Sequence, residues 1–213
     1  MIEVDRVSVS FDGVQVLDEV SLTADRSEVI AMLGRSGSGK STLLRVIAGI
    51  VPPDSGRVLI DGADVTRVPT HRRGVGMVFQ DNQLFPHRDV ATNVAFGLKM
   101  AGIAPAEQRA RTADWLERVG LPGFERRRVT ELSGGEAKRI ALARTLVTEP
   151  SVVLLDEPLT GLDRELHDEL VVDLHRLLHE SETTAILVTH DVDEADAIAD
   201  RVVSIDELTG GQR

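Results

Sequence analysis

The sequence predicts an α/β fold with a largely parallel sheet, an antiparallel β edge subdomain and an inserted helical subdomain. Three observations support this prediction. Short apolar runs, expected of strands buried on both faces, alternate with helical patterns. A strand pair with a tight turn opens the chain, and a long middle stretch carries helical patterns with little strand signal. With 213 residues, 42% of them hydrophobic, the chain is large enough to form one such domain.

The first predicted element is a β-hairpin at the antiparallel edge. The runs IEVDRVSVSF and VQVLDEVSLTA are rich in β-branched residues and flank Asp12-Gly13, a dipeptide that tolerates positive φ. Four apolar runs then predict the strands of the parallel core: EVIAML (Glu28–Leu33), VGMVF (Val75–Phe79), VVLLD (Val152–Asp156) and AILVTH (Ala185–His190). A further strand, RVVSID, lies close to the C-terminus.

The middle of the chain reads mostly as helix. VATNVAFGLKMAG, PAEQRARTADWLERVG and GEAKRIALARTLV all carry helical patterns. We therefore predict one domain over residues 1–213, in which 1–81 and 149–213 form the α/β core and 82–148 form the helical subdomain. In DRELHDELVVDLHRLLHE leucines recur at helical spacing, and Asp163 is the expected N-cap.

A glycine-rich turn follows the first core strand. It has the pattern Gly-x4-Gly-Lys-Ser between a buried strand and the helical pattern STLLRVIAGI, which is the context that a phosphate loop requires. Two of its glycines let the backbone wrap phosphates, the lysine reaches the β- and γ-phosphates, and the serine hydroxyl can ligate Mg²⁺. The candidate nucleotide-binding residues are Gly34, Arg35, Ser36, Gly37, Ser38, Gly39, Lys40, Ser41 and Thr42. This motif predicts a phosphate-loop NTPase core.

A second glycine pair, in LSGGEAKR (Leu132–Arg139), also opens a predicted helix. Adjacent glycines leave backbone N–H groups uncovered and the helix dipole adds positive charge, so this turn is a second plausible anion cradle. Because one nucleotide needs only one such cradle, the second requires its own explanation.

Acidic residues end a later core strand. Asp156 and Glu157 follow an apolar run, at the edge where open α/β sheets place their ligands. We expect Asp156 to hold Mg²⁺, directly or through water, and Glu157 to polarise the attacking water as general base. An acidic pair after a strand can also serve as a cap, but the phosphate loop favours catalysis. His190 ends another strand, where it either approaches the γ-phosphate or has a structural role.

Composition excludes several classes of protein. The chain has no cysteine, which excludes disulfides, thiolate catalysis and cysteine-ligated zinc. A net charge of −11 argues against nucleic-acid binding as the main activity, although Arg126–Arg128 form a local basic patch whose simpler interpretation is a solvated surface. The N-terminus carries charges where a signal peptide would have its apolar core, and no apolar run is long enough to span a bilayer. We therefore expect a cytoplasmic chain.

Together, these motifs resemble the ATP-binding cassette (ABC) ATPases, the motor subunits of ABC transporters. The resemblance covers essentially all of the chain, and the motifs follow the family's order. They are Phe11, GRSGSGKST, Gln80 at the end of GMVFQ, LSGGE, VVLLDEP, LTGLD and VTHD. The LSGG motif separates this family from other phosphate-loop ATPases, and we refer to Leu132–Glu136 as the signature segment.

The resemblance implies a head-to-tail dimer that binds ATP with Mg²⁺ and explains the second cradle. Each ATP would lie between the phosphate loop of one subunit and the signature segment of the other, where Ser133, Gly134, Gly135 and Glu136 act in trans. The resemblance further assigns adenine stacking to Phe11, Mg²⁺ and water sensing to Gln80, γ-phosphate contact to His190, and a place at the dimer seam to Asp163. The expected metal contacts are Ser41, Gln80 and Asp156.

The resemblance also implies partners. The segment DNQLFPHRDVATNVAFGL is similar to that of bacterial importers for maltose, thiamine, molybdate, iron or polyamines, so we expect an importer rather than an exporter. Such a subunit docks on an integral-membrane permease at the inner face of the cell membrane, in some systems with an extracytoplasmic solute-binding protein. The permease and any binding protein choose the cargo.

The alternative is a soluble cassette ATPase of DNA repair, chromosome organisation or translation. A cassette that binds ATP without hydrolysing it is disfavoured because Lys40, Asp156, Glu157 and His190 are all present.

Three features depart from the family's pattern. Glu136 stands where glutamine is commoner, and LTGLD replaces the usual Ser-Ala-Leu-Asp. Glu136 has two interpretations: a first-turn acid that serves only its helix, or an acceptor for a ribose hydroxyl of the partner's ATP. The chain also ends soon after RVVSID, so we expect no regulation through an additional C-terminal domain.

Overall fold

The computed structural model describes residues 1–208, which form two sheets and the helices packed against them. Residues 209–213, the last five of the predicted 149–213 segment, lie outside the described part. The strands are β1 (Ile2–Phe11), β2 (Val14–Ala24), β3 (Val29–Leu33), β4 (Ser55–Ile60), β5 (Ala63–Asp64), β6 (Val75–Val78), β7 (Val152–Asp156), β8 (Thr184–Val188) and β9 (Arg201–Ser204). The α-helices are α1 (Lys40–Ala48), α2 (Val90–Val94), α3 (Phe96–Met100), α4 (Pro105–Arg118), α5 (Gly134–Leu146), α6 (Arg164–Glu180), α7 (Val192–Ile198) and α8 (Ile205–Leu208).

The parallel sheet has five strands in the order β6-β7-β8-β3-β9. Its strands are apolar on both faces because each face covers a different core. Val153 and Leu155 pack into the cluster that includes helices α2 to α7, whereas Val152 and Leu154 pack into the cluster beneath α1 and the antiparallel sheet. The predicted α/β class and the four predicted core strands are confirmed.

The antiparallel sheet has the order β2-β1-β4-β5. Its β1–β2 hairpin turns at Asp12-Gly13, where φ is 50° and 78°, as the sequence predicts. The β4–β5 hairpin is absent from the sequence prediction. It turns on a second Asp-Gly pair, Asp61-Gly62, with φ of 50° and 79°, so the same dipeptide signal was present there.

Between residues 82 and 148 the described structure contains helices and turns and no named strand. The helical pattern predicted near residue 90 is divided at Ala95 into two short helices, α2 and α3. Helix α5 packs against β6 and α2, and its buried residues belong to the same apolar cluster as one face of the parallel sheet. The division of residues 1–213 into a core and a helical subdomain remains a prediction. Within residues 1–208 no helix has the length and hydropathy required to span a membrane.

Candidate nucleotide-binding site

The functional loops of the parallel sheet converge because neighbouring parallel strands end at one edge. The phosphate loop (34–42) follows β3, Gln80 follows β6, Asp156 and Glu157 end β7, and His190 follows β8. These four strands are consecutive neighbours in the sheet, so residues far apart in sequence meet at its carboxyl edge.

The phosphate loop needs its glycines. Gly37 and Gly39 have φ of 81° and 93°, and Gly39 is the N-cap of α1. A Cβ at Gly39 would lie 2.8 Å from Leu17 Cδ2 and 2.9 Å from the Val16 carbonyl oxygen. The β2 strand therefore holds the loop from behind, and the loop's backbone is built for a residue without a side chain.

Lys40 is held within this loop. Its side chain is buried, and Nζ donates hydrogen bonds to the carbonyl oxygens of Gly34 at 2.7 Å and Arg35 at 2.9 Å. Ser38 Oγ is also buried and has no hydrogen-bond partner among the described residues. A buried hydroxyl without a partner requires one, and a polar ligand in the loop would supply it. Arg35 and Ser36 are exposed at the loop's outer side, and Thr42 is half-buried in α1.

Ser41 joins the phosphate loop to the acidic strand. Its hydroxyl donates a hydrogen bond to Asp156 Oδ1 at 2.7 Å, although 115 residues separate the two in sequence. Asp156 is buried, so the pair presents two hard oxygen donors in a protected place. Such oxygens fit Mg²⁺, which is bound through one or two carboxylates together with substrate phosphates and water. No group of three or more histidine or acidic side chains that could hold a metal ion occurs in residues 1–208.

Glu157 stands at the end of β7 in a left-handed conformation, with φ of 47°. Its N–H donates to the Val188 carbonyl at 2.9 Å, and its Oε2 accepts a hydrogen bond from Thr160 Oγ1 at 3.2 Å. His190 Nδ1 lies 3.6 Å from the same oxygen. The carboxylate is 23% exposed, so it is fixed in direction and still open to water. This geometry suits a general base.

Gln80 and Phe11 lie at the margins of the site. Gln80 is exposed just beyond β6, and the segment after it is held by Arg144 of α5, which donates to the carbonyl oxygens of Asn82 and Gln83, both at 2.8 Å. Phe11 ends β1 with 46% of its surface exposed, on the hairpin whose second strand borders Gly39. Its open face is available for stacking.

The signature segment begins α5 and closes its own capping box. Ser133 Oγ accepts from the Glu136 N–H at 3.3 Å, and Glu136 Oε2 accepts from the Ser133 N–H at 2.7 Å. Arg127 Nη1 lies 3.7 Å from Glu136 Oε1. The helical interpretation of Glu136 is thus visible in the structure, while its contact with a partner's ribose stays a prediction.

Tight packing joins the signature segment to the start of α6. A Cβ at Gly135 would lie 2.5 Å from Leu166 Cδ2, whereas one at Gly134 would meet only Leu162, at 3.9 Å. Asp163 caps α6 by accepting a hydrogen bond from the Leu166 N–H at 3.1 Å, as predicted, and its side chain is exposed. Across residues 1–208 no hydrogen bond or ion pair joins the signature segment to the phosphate loop of the same chain.

Sequence reasoning missed two buried charged residues near the acidic strand. Lys138 Nζ donates to the Pro158 carbonyl at 2.6 Å, and Glu194 Oε2 accepts from Thr189 Oγ1 at 3.1 Å. Both are buried. Burial lowers the pKa of Lys138, opposed by the Glu194 carboxylate, and burial raises the pKa of Glu194, opposed by hydrogen bonds from Thr189 and His167. A lone lysine in a helix usually indicates a solvated face, so the sequence carried no signal for it.

A groove of about 730 Å³ crosses the helical segment, away from the phosphate loop. Phe96 and Met100 line it with exposed apolar surface. Its basic lining residues are Arg88, Lys99, Arg109 and Arg126. The lining also includes Asp89 and Glu125, so basic side chains outnumber acidic ones four to two. Apolar surface with this positive balance suits a helix that carries acidic side chains or presents its negative C-terminal end.

Comparisons with known proteins agree with this geometry. Residues 17–160 match the family described as ABC transporter. The chain is 54% identical over 203 residues to the Fe(3+) ions import ATP-binding protein FbpC of Streptomyces coelicolor, and the match covers 95% of this chain and 58% of that protein. It is 48% identical to the spermidine/putrescine import ATP-binding protein PotA of Nitrosospira multiformis, with 95% and 56% covered. The chain therefore spans less than two thirds of the length of these curated relatives.

Solved structures share the fold. The dimeric post-hydrolysis state of the ATP-binding cassette MJ0796 bound to ADP and Pi matches with a TM-score of 0.85 and 29% identity, over 96% of this chain and 94% of that one. The cbiO1 protein of Clostridium perfringens, part of the ABC transporter complex cbiONQ, matches with a TM-score of 0.86 and 35% identity, over 95% and 83%.

Proposed function

Because this chain belongs to the ABC transporter family, we propose that it is the ATP-hydrolysing motor subunit of a bacterial importer. ATP binding, dimerisation and hydrolysis would drive solute movement through a separate permease. The observation that carries this proposal is the Ser41–Asp156 hydrogen bond, which joins the phosphate loop to the acidic strand beside Glu157. The hydrolysed state of a similar cassette, bound to ADP and Pi, supports turnover as well as binding.

The chemistry rests on side chains at the carboxyl edge of the parallel sheet. Lys40 exchanges its contacts with the Gly34 and Arg35 carbonyls for the β- and γ-phosphates, which gives charge-assisted hydrogen bonds. Glu157 takes a proton from the attacking water, and His190, 3.6 Å away, holds the γ-phosphate on the same side. Gln80 would contact the metal and the attacking water, and Phe11 would stack on the adenine.

Mg²⁺ fits the oxygens of Ser41 and Asp156. These two side chains, with Gln80, would hold the ion, and the ion would neutralise charge that develops on the phosphate oxygens. Ser41 Oγ, which now donates to Asp156 Oδ1, would hold the ion through its oxygen, and the Asp156 carboxylate would hold it directly or through water.

We assign the signature segment to the nucleotide of a second, identical subunit. Within one chain it makes no hydrogen bond or ion pair to the phosphate loop in the described residues, and its start at Gly134 is open. In a head-to-tail dimer, Ser133, Gly134, Gly135 and Glu136 would contact the partner's γ-phosphate and ribose, with Asp163 at the seam. The dimeric form of the similar cassette MJ0796 supports this arrangement.

The helical segment supplies the surface for a membrane permease. The groove beside Phe96 and Met100 combines apolar surface with more basic than acidic side chains, and its first lining residue, Arg88, lies eight positions after Gln80. The similar proteins named for import of iron, spermidine or putrescine support an importer. We therefore place the chain at the inner face of the cell membrane, with permease subunits, an extracytoplasmic solute-binding protein and no nucleic-acid partner.

ATP hydrolysis and ATP-driven dimerisation test the motor assignment directly. We expect the 213-residue chain to release phosphate from ATP only with Mg²⁺ and to shift from monomer to dimer on size exclusion with ATP when Glu157→Gln blocks turnover. Binding without hydrolysis would leave only a regulatory cassette. Stimulation of hydrolysis by DNA or ribosomes, but not by membranes, would favour the soluble class.

Crosslinking tests the docking surface. His87 is exposed, whereas Leu84 is half-buried against the apolar core, so His87→Cys is the better probe in a chain without native cysteine. We expect it to crosslink to a cytoplasmic loop of the co-purified permease. Asp64→Cys, exposed on the antiparallel sheet, is the control and should give no such product. Equal crosslinking from both positions would contradict docking through the helical segment.

A further inference from the structure

Lys138 is a buried cation in the second turn of α5. Its Nζ donates to the Pro158 carbonyl oxygen at 2.6 Å, and only 6% of the residue is exposed. Removing an ammonium from water costs free energy unless a hydrogen-bond partner satisfies it. The partner of Lys138 is the Pro158 carbonyl, which lies outside α5, so the side chain joins this helix to another segment.

Through α5, the Lys138–Pro158 hydrogen bond is connected to the signature segment. Lys138 lies four residues after Gly134, about 6 Å along the helix axis. The first turn of α5 is rigid here because the Ser133–Glu136 capping box closes it and Gly135 packs directly on Leu166. A displacement of the signature segment is therefore transmitted to the Lys138 ammonium.

Through Pro158, the same hydrogen bond is connected to the end of β7, where Glu157 lies. Pro158 follows Glu157, whose left-handed backbone is fixed by a hydrogen bond from its N–H to the Val188 carbonyl. The proline ring restricts φ of Pro158, so mainly its ψ separates the Pro158 carbonyl from the Glu157–Pro158 peptide. The ammonium thus anchors the chain one residue after Glu157.

A second buried charge extends the connection toward His190. The Glu194 carboxylate opposes the lowering of the Lys138 pKa by burial, and its Oε2 accepts from Thr189 Oγ1 at 3.1 Å. His167 Nε2 of α6 lies 3.5 Å from the same oxygen, while Oε1 has no hydrogen-bond partner in the described residues. Thr189 directly precedes His190, so this hydrogen bond joins Glu194 to the chain at the end of β8 that carries His190.

We propose that Lys138 is a positioning residue that couples the two ATP sites of the dimer. It ties the helix that contacts the partner's nucleotide to the peptide that carries the general base of its own site. The inference rests on the proposed function and adds a residue that the motif resemblance does not assign. It implies that ATP bound in one site aligns Glu157 for the other.

Lys138→Met tests the coupling because methionine fills similar volume without a donor or a charge. In single-turnover experiments on ATP-loaded dimers, we expect the hydrolysis rate constant to fall about tenfold, the effect of losing one charge-assisted hydrogen bond. In the Glu157→Gln background, where dimerisation is read without hydrolysis, we expect the dimer dissociation constant to rise about fivefold. ATP affinity of the monomer should stay unchanged.

Two variants separate coupling from loss of folding or of charge. Lys138→Arg keeps a cationic donor and should recover most of both losses. Arg67→Met removes a cation from an exposed position on the antiparallel sheet side and should change neither readout. Thermal unfolding of each variant checks that the fold is retained.

Each outcome decides the proposal. A fall in hydrolysis alone would make Lys138 a local support of Glu157, and weaker dimerisation alone would make it a support of the signature segment; either result overturns coupling. Loss of both without recovery by arginine would also overturn it, since packing would then explain the effect. A wild-type chain that neither hydrolyses ATP nor dimerises would instead overturn the proposed function, and with it this inference.

Discussion

The chain contains two glycine-rich helix starts that look alike in sequence and differ in structure. At the phosphate loop, Gly37 and Gly39 adopt positive φ, and Lys40 and Ser41 connect the loop to its surroundings. At the signature segment, the φ angles of the glycines are outside the left-handed region. Within residues 1–208, the side chains of Ser133 and Glu136 form only the hydrogen bonds of a local capping box.

The two helix starts differ in the chemical groups around them: the phosphate loop has several within its own chain, whereas we assign the signature segment to a partner's nucleotide. The phosphate loop has a cation, a buried hydroxyl without a partner in the described residues, and a hydroxyl joined to a carboxylate. The proposed general base, Glu157, follows β7, which β8 separates from β3 in the sheet. Within residues 1–208 no hydrogen bond or ion pair joins the signature segment to these groups. A helix N-terminus therefore gives an anion site only where the tertiary structure supplies the remaining groups.

The largest expected effect is on ATP hydrolysis at the phosphate-loop site. Glu157→Gln should lower steady-state ATP hydrolysis about 100-fold to 10,000-fold, since it removes the general base and leaves the cradles intact. ATP affinity should persist, and ATP should accumulate a dimer. Phosphate release and size exclusion measure the two effects.

Glu182→Gln is the matched control for this change. Glu182 is also a left-handed glutamate, with φ of 49°, but it lies in the turn before β8. Its variant should hydrolyse ATP normally. A Glu157→Gln protein that hydrolyses at the wild-type rate and remains monomeric would disprove both the base and the shared site.

Lys40→Ala should weaken ATP binding to the monomer by about 10-fold to 100-fold, the effect of losing charge-assisted hydrogen bonds to phosphate. The phosphate loop should also become more mobile, because the two hydrogen bonds from Nζ to loop carbonyls disappear. Titration with a fluorescent ATP analogue measures the affinity. Unchanged affinity would mean that the ammonium stays on the carbonyls when nucleotide binds.

Alanine substitutions at one glycine of each segment compare the phosphate loop with the signature segment. At Gly39 a Cβ would crowd Leu17 and the Val16 carbonyl in a left-handed backbone, so Gly39→Ala should destabilise the fold by about 1–3 kcal/mol. At Gly134 a Cβ has room, so Gly134→Ala should leave the unfolding free energy unchanged and weaken only ATP-driven dimerisation.

Chemical denaturation and size exclusion distinguish these outcomes. If Gly134→Ala destabilised the monomer as much as Gly39→Ala, the signature segment would be a structural turn and its assignment to the partner's nucleotide would lose its basis.

The smallest expected effect concerns Glu136. Glu136→Gln keeps an oxygen that can accept from the Ser133 N–H, so α5 should remain capped. It removes a negative charge near the partner's ATP, and because Arg127 already lies 3.7 Å from that carboxylate, the gain should be about 1 kcal/mol or less. ATP-driven dimerisation should tighten two- to threefold, with a flatter dependence on salt.

ATP binding by the isolated monomer is the measurement that could contradict this prediction for Glu136. Weaker ATP binding by the isolated monomer, with dimerisation untouched, would place Glu136 in its own subunit's site. The signature segment would then no longer serve the partner.

Local signals in the sequence predicted much of the fold. Asp12-Gly13 predicted the first hairpin because the backbone preference of that dipeptide is local. The same signal at Asp61-Gly62 was missed because the strands around it are short and largely exposed, which weakens the apolar pattern. Continuous apolar runs predicted β7 and β8 because a strand buried on both faces has no polar alternation.

The order of the strands decided which residues meet, and the sequence does not state that order. Ser41 contacts Asp156 because β7, β8 and β3 are parallel neighbours in one sheet, so the carboxyl ends of β3 and β7 lie at the same edge. Lys138 and Glu194 became buried charges only when α5 and α7 packed beside the ends of these strands. The residue pattern of one helix does not indicate which other segments will cover it.

The sequence alone determined the residue types and backbone freedom of each cradle, because both depend on near neighbours in the chain. Only the tertiary structure decided which cradle holds a complete set of chemical groups, because those groups come from segments more than 100 residues apart, and packing alone sets their distances.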